Sequence, residues 1–178
     1  MYKTHKKAFS LLETMLAVGV LTMMTSVAAS IASGASRATA MAEDKMVAIY
    51  LAEEAGEVVK NIWQDVLNAG GDDIFSSPLS ECMNHVGCYI RPESKGSPDS
   101  AIVGCGGAEN CGILYITENG YRSDAGSLTR YGRVVTIEEV ASDGKRYKVN
   151  VDIAWGEEDN KKISFDYYLF PIGIYVTQ

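Results

Sequence analysis

The sequence predicts an α+β fold in which a long N-terminal α-helix, transmembrane in its first half and amphipathic in its second, packs on a C-terminal antiparallel β-sheet. Three observations support this prediction. An apolar segment near the N-terminus is long enough to cross a bilayer, the segment after it is apolar on one helical face, and the chain beyond Gly112 alternates apolar and polar residues. The 178 residues suffice for one ordinary domain with an anchor.

Composition argues against two classes of function. The formal net charge is -7, and no basic stripe occurs that could displace counterions from phosphates, so we do not expect a nucleic-acid-coating protein. The two histidines, His5 and His85, belong to no catalytic pattern, and the chain has neither a Gly-rich phosphate loop nor a nucleophile motif. We therefore expect neither enzymatic activity nor a bound cofactor.

Residues 9–33 form the predicted transmembrane helix. The segment exceeds the roughly 20 residues that span a bilayer, and its only charged residue is Glu13. Lys3, Lys6 and Lys7 precede it, and a basic flank of this kind stays on the cytoplasmic side. The chain beyond the helix is then expected outside the cytoplasm.

A cleavable secretory signal is the alternative interpretation of this segment. Its cleavage site would follow the apolar core, where residues 28–40 offer Ala- and Ser-rich candidates. Glu13 argues against it, because a carboxylate at the centre of a membrane helix costs about 2.5 to 3.5 kcal/mol and a disposable signal gains nothing from it.

Residues 7–13, Lys-Ala-Phe-Ser-Leu-Leu-Glu, resemble the processing site of type IV pilins and type II secretion pseudopilins. In that family a short basic leader is removed before a Phe, the new N-terminus is methylated, and a Glu is the fifth residue of the mature chain. The resemblance implies a leader at residues 1–8, cleavage between Ala8 and Phe9, N-methylation of Phe9 and an assembly role for Glu13. Ala8 stands where the family usually has Gly.

The resemblance also implies partners and location. The partners are other pilin or pseudopilin subunits in a homo- or hetero-polymer, prepilin peptidase and the inner-membrane assembly platform. Before assembly the chain would be a single-pass protein of the cytoplasmic membrane with its N-terminus in the cytoplasm, and afterwards part of an extracytoplasmic or cell-surface filament.

The chemistry of the new N-terminus agrees with this picture. In the family, the terminal amine of a neighbouring subunit pairs with the glutamate and sets the axial register. Cleavage before Phe9 leaves an amine about one helical turn from Glu13, so a pair within or between subunits could neutralise the acid. The alternative is that Glu13 lies at headgroup depth, where a charge costs little.

Residues 34–69 form the predicted amphipathic stem. No Pro occurs between Met1 and Ser77, so one helix is expected to continue from Phe9 to about Ala69, with Gly70 and Gly71 as its stop. Residues 50–62 also resemble the stem of minor pilins and pseudopilins of the I and V types. The predicted buried stripe consists of Val47, Leu51, Ala55, Val58, Ile62 and Val66. The predicted solvent face consists of Glu53, Glu57, Lys60, Asn61, Gln64 and Asp65.

Residues 70–178 form the predicted head, which contains all four cysteines. We expect residues 72–110 to form a long loop region held by disulfides, because export favours oxidation. The simplest pairing is Cys82 with Cys88 and Cys105 with Cys111, although four cysteines permit three connectivities. A zinc site is the alternative, since Cys82, His85 and Cys88 could join a later cysteine as ligands.

Consecutive β-rich runs follow in the head. Residues 113–116 lead through Glu118, Asn119 and Gly120 into a predicted hairpin, and residues 134–140 form a second run. Residues 147–155 alternate strictly, and after a turn at residues 156–160 a last strand begins. We expect an antiparallel meander whose apolar face the helix stripe covers. The apolar positions of that last strand are Ile163, Phe165, Tyr167 and Leu169.

Two acidic turns are candidates for a calcium ion, as in some pseudopilin heads. They are Asp72-Asp73 and Glu157-Glu158-Asp159, and neither has the ligand spacing of a defined calcium loop. Acidic residues are common in solvated turns, so we expect no metal.

These features favour a structural subunit, a pilin, minor pilin or pseudopilin, in a filament for adhesion, motility, DNA uptake or type II protein secretion. Contact with nucleic acid is expected only as part of a DNA-uptake pilus. The alternative is a membrane-anchored extracytoplasmic binding module that does not polymerise.

Overall fold

The computed structural model describes residues 10–71, 73–84, 86–91, 101–106, 111–123, 125–140, 146–156 and 161–170. The predicted leader, the cleavage position Ala8/Phe9 and His85 lie outside these ranges. The chain divides into two compact units, Met1–Lys45 and Met46–Gln178.

One helix, α1, runs from Leu11 to Asn68. Its 58 residues correspond to a length of about 87 Å at 1.5 Å per residue. Gly70 ends it with φ of +83°, a left-handed conformation that glycine adopts without strain. The Gly70 N–H donates to the Leu67 carbonyl at 3.0 Å and the Gly71 N–H to the Val66 carbonyl at 2.9 Å, which is a Schellman cap. The long predicted helix and its stop are confirmed.

The described part of the second unit contains two 3₁₀ helices, Ile74–Ser76 and Pro78–Met83, followed by seven strands. The strands are β1 (Cys88–Ile90), β2 (Ile102–Gly104), β3 (Ile113–Thr117), β4 (Gly120–Arg122), β5 (Ser127–Glu139), β6 (Tyr147–Trp155) and β7 (Lys161–Leu169). All the pairings between them are antiparallel, so the fold is the expected α+β class.

The central strand of the sheet is β5. Along one edge it pairs with β6, which in turn pairs with β7, so β5, β6 and β7 form the predicted meander. Its other edge is shared: β1 pairs with it at Val135, and β3 pairs with it between Ser127 and Gly132. The predicted hairpin forms between β3 and β4, but β3 rather than β4 lies beside β5, so the consecutive order is broken there.

The expectation of a long loop over residues 72–110 is wrong in part. This region contains the two 3₁₀ helices and the ribbon of β1 and β2. Each of these strands has three residues, which is too short to show an alternating pattern in the sequence. Ile90 and Ile102 are nevertheless buried in the core.

The core lies between the sheet and residues 46–68 of α1. Every second residue of β6, from Tyr147 to Trp155, is buried on this side. Of the predicted stripe, Leu51, Ala55 and Ile62 are buried, while the three valines are partly buried. The helix face is centred on residues outside the stripe, and these are Ala48, Ala52, Val59 and Trp63. All six residues of the predicted solvent face are exposed.

Strand β7 is less covered than its pattern predicts. Its pairing with β6 places Ile163, Phe165, Tyr167 and Leu169 opposite buried β6 residues, but of these four only Leu169 is buried, and Phe165 is 38% exposed. The outer strand β7 is therefore only partly covered.

Candidate functional site

The first candidate site is the apolar part of α1 in the first unit. Large apolar side chains are exposed all along it, where a soluble helix would bury one face. By length and composition, α1 is able to cross a membrane, and it is the one such helix among the described residues. The exposed apolar residues between positions 11 and 41 are Leu11, Leu12, Met15, Leu16, Val18, Val20, Leu21, Met23, Met24, Val27, Ile31 and Met41.

Hydroxyl groups in this segment find acceptors within the helix. Four side chains donate to the carbonyl three residues earlier: Thr14 to Leu11 at 2.8 Å, Thr22 to Gly19 at 2.9 Å, Thr25 to Thr22 at 3.0 Å and Ser26 to Met23 at 2.8 Å. A hydroxyl that already donates a hydrogen bond within the helix costs less free energy to transfer from water into an apolar environment. These residues are therefore compatible with an apolar environment.

Glu13 lies in the first turn of α1. Its N–H donates to the Ser10 carbonyl at 3.0 Å, and its exposed carboxylate has no hydrogen-bond or ion-pair partner within the described part of the chain. An acid in the first turn interacts favourably with the helix dipole, but that interaction does not neutralise a carboxylate in an apolar environment. In an apolar environment the Glu13 carboxylate therefore requires a cation as its partner. Ala8 and Phe9 lie outside the described residues, so their relation to Glu13 stays a prediction.

The four predicted cysteines form two disulfides, Cys82–Cys88 and Cys105–Cys111, with Cα atoms 4.6 and 5.3 Å apart. Of the three possible connectivities, the simplest is the one adopted. All four thiolates that the zinc alternative requires are paired as disulfides in the structure.

The disulfides fix the short elements of the head. Cys82–Cys88 joins the second 3₁₀ helix to β1, and Cys105–Cys111 joins the end of β2 to the start of β3. In the chain-entropy model a disulfide that closes a loop of this size contributes about 2 kcal/mol to stability, because it lowers the entropy of the unfolded chain. Elements that bury few residues are thus held by covalent bonds.

Arg133, whose side chain is 1% exposed in the core, was not predicted as a functional residue from the sequence. Its Nη1 donates to the Leu51 carbonyl at 3.0 Å and to Glu54 Oε2 at 2.6 Å, while Nη2 donates to the Ile90 carbonyl at 3.2 Å. Arg133 therefore links α1 to β1 through β5. Its position among the alternating inward residues Tyr131, Val135 and Ile137 is the signal that could have identified it.

The acidic turns contain no described calcium site. Asp73 caps the first 3₁₀ helix by accepting the Phe75 N–H at 3.0 Å, and the Tyr147 hydroxyl lies 3.5 Å from the same carboxylate. Burial, with the nearby Asp73 charge, raises the pKa of the Tyr147 hydroxyl. Asp72 and Glu157-Glu158-Asp159 lie outside the described residues, and the described ones include no group of three potential metal ligands.

Comparison of the chain with protein-family models, with curated proteins and with solved structures found no match.

Proposed function

We propose that this protein is a type IV pilin-like structural subunit, a pilin, minor pilin or pseudopilin, that is cleaved between Ala8 and Phe9 and assembles into an extracytoplasmic filament. The observation that supports this most is the lone carboxylate of Glu13, without a described partner, in the first turn of a helix whose apolar side chains are exposed. Such a helix needs an apolar environment at every stage, and its acid needs a cation.

The membrane provides the first environment. Burial of one large apolar side chain is worth roughly 1.5 to 3 kcal/mol, so the exposed apolar residues between Leu11 and Ile31 strongly favour lipid over water. The basic residues before Phe9 orient the helix with its N-terminus in the cytoplasm. The head is then outside, where its disulfides are stable.

The filament provides the second environment. When the helices of many subunits pack together, their apolar side chains replace lipid, and the small residues of the segment allow close approach. Cleavage before Phe9 supplies the cation, because the new terminal amine of a neighbouring subunit pairs with Glu13. The pair offsets the cost of burying each charge and fixes the stagger between subunits.

Mass spectrometry of the full chain, purified from membranes of cells with and without prepilin peptidase, tests this proposal. We expect a mature N-terminus at Phe9, methylated, in cells with the peptidase, and an intact Met1 in cells without it. An intact Met1 in both would favour the anchored binding module, and an N-terminus near Ala35 would indicate a secretory signal.

A further inference from the structure

Within the second unit, a cleft of about 260 Å³ lies between two short ribbons of the sheet, β1–β2 and β3–β4. Both ribbons share one edge of β5, since β1 pairs with it at Val135 and β3 pairs with it between Ser127 and Gly132. The Cys105–Cys111 disulfide joins the end of β2 to the start of β3 and lines the cleft. The described walls also include Tyr89, Val103, Ile113 and Tyr115.

The cleft exposes one disulfide and not the other. Cys82 and Cys88 are 0% exposed, so a reagent in solution cannot reach either sulfur while the core is intact. Cys105 is 4% exposed, whereas Cys111 is partly exposed beside the cleft. Thiol–disulfide exchange requires that a thiolate reach one sulfur of the bond. Among the four cysteines, Cys111 is therefore the one that an incoming thiolate reaches most readily.

The charge and size of the cleft suit such a reagent. The chain has a formal net charge of -7, yet none of the described lining residues is charged. A thiolate anion is therefore not repelled by a carboxylate in the lining. The volume is below the roughly 300 Å³ at which sites for drug-sized ligands begin, so the cleft admits a group of the size of one cysteine side chain.

We propose that Cys105–Cys111 is a site of reversible thiol–disulfide exchange with an external thiol reductant, which enters through this cleft. The incoming thiolate attacks Cys111 Sγ, a mixed disulfide forms, and the Cys105–Cys111 bond breaks with its electron pair on Cys105, which then takes a proton. A second thiolate of the reductant attacks the incoming sulfur and releases Cys111, which is protonated in turn. Two electrons pass to the protein, and the two thiols of the reductant become a disulfide.

Exchange at this bond would loosen the two ribbons and leave the rest of the head folded. Cys82–Cys88 still joins β1 to the second 3₁₀ helix, and the meander of β5, β6 and β7 contains no cysteine. The Ser123 hydroxyl, which donates to the Ile90 carbonyl at 2.8 Å, remains as a non-covalent link between the segment after β4 and β1. The inference uses only the second unit, so it holds whether or not the chain assembles into filaments.

Timed reduction of the full chain in detergent with dithiothreitol tests the difference between the disulfides. Alkylation of the freed thiols, followed by mass spectrometry, measures each pair separately. We expect Cys105 and Cys111 to be alkylated about tenfold or more faster than Cys82 and Cys88, because buried sulfurs are inaccessible to the reagent. Equal rates, or faster reduction of Cys82–Cys88, would overturn the proposal.

A substitution that fills the cleft tests the route. Val103→Trp should slow reduction of Cys105–Cys111 about fivefold or more, because the larger side chain occupies the space that the thiol enters. Ile116→Trp is the matched control, at an exposed β3 position outside the cleft, and should keep the original rate. Circular dichroism and slow alkylation of Cys82 and Cys88 show that each variant is folded. An unchanged rate in folded Val103→Trp would overturn the route.

The position of the mixed disulfide gives an independent measurement. Glutathione and a thioredoxin-like protein whose second active-site cysteine is replaced by serine serve as the two thiol probes. We expect the adduct on Cys111 with at least one of them, and the probe that forms it distinguishes a small thiol from a protein thiol as the reductant. An adduct on another cysteine, or none with either probe, would contradict the assignment.

Hydrogen exchange measures the effect of reduction on the fold. We expect faster amide exchange at Val103, Gly104 and Ile113 after selective reduction, with exchange in β6 unchanged. Unchanged exchange at the three positions would show that the bond does not control the ribbons.

Discussion

Arg133, on the central strand, donates to the Glu54 carboxylate of α1 at 2.6 Å, and the two side chains are 1% and 41% exposed. The guanidinium is thus buried beside a carboxylate that still reaches water. Removal of one partner of such a pair leaves the other charge buried without compensation. The Arg133–Glu54 pair therefore stabilises the contact between the helix and the sheet only while both residues are present.

We expect Arg133→Ala to lower the free energy of unfolding by about 3 to 5 kcal/mol, because it leaves a cavity and deprives the Leu51 and Ile90 carbonyls of their donor. Glu54→Gln keeps an acceptor for Nη1 and should cost about 1 to 2 kcal/mol. Denaturant unfolding of the full chain in detergent, followed by circular dichroism, measures both. Equal effects of the two variants would contradict this account of the pair.

Glu13→Ala should leave membrane insertion unchanged and reduce the subunit in sheared filaments about tenfold or more, a loss of at least 1.4 kcal/mol per contact. Insertion depends on apolar residues that the variant keeps, whereas the proposed pair between Glu13 and a neighbour's terminal amine can no longer form. Thr14→Val, at the adjacent position, is the control and should assemble normally. Quantitative immunoblots of membrane and filament fractions give the result, and normal incorporation of Glu13→Ala would refute its proposed role.

Removal of each disulfide by paired Cys→Ala substitution should destabilise the head by about 2 kcal/mol, from loop entropy alone. The Cys82/Cys88 pair should cost more, because both residues are fully buried in the core, whereas Cys111 is partly exposed. Chemical unfolding of the two paired variants, compared with the unmodified chain, measures the difference. A larger loss of stability for the Cys105/Cys111 variant would show that burial of the cysteines does not determine which disulfide contributes more.

The pKa of Asp166 should be below the ordinary value for an aspartate, because the Asn150 side chain donates to its carboxylate at 2.7 Å and Lys148 Nζ lies 3.0 Å away. Because the pKa is lower in the folded state, the ionised Asp166 carboxylate stabilises the folded chain at pH values above the ordinary aspartate pKa. This stabilisation is lost as the pH falls through the lowered pKa. NMR titration of the Asp166 carboxyl measures it. Asn150→Ala should raise the pKa towards the ordinary value, and no change would contradict the assignment.

The sequence allowed prediction of those parts of the fold that depend on local pattern. A segment without Pro or strong breakers predicted α1, and strict alternation predicted β6, since both patterns extend over many residues. The strands β1 and β2 were missed because three residues show no period. The exposure of Phe165 was missed because it depends on which strands the helix covers, and no local pattern contains that information.

Arg133 likewise was not identified from local sequence pattern, because its contacts are with residues distant in the chain. Its acceptors, at Leu51, Glu54 and Ile90, are between 43 and 82 residues away in the chain. A charged residue is usually exposed, so the alternation of β5 was the sole indication that it points inward. Glu13, in contrast, was identifiable because a lone acid in an apolar run is conspicuous without any knowledge of the fold.

The unbroken course of α1 determines how the chain responds to tension along the helix. Tension between the head and residue 11 is borne by one series of i to i-4 hydrogen bonds, since α1 is continuous from Leu11 to Asn68. A helix that unwinds under force lengthens from about 1.5 to about 3.3 Å per residue. Residues 46–68 are packed on the sheet, so we expect extension under tension to begin in the part of α1 that belongs to the first unit.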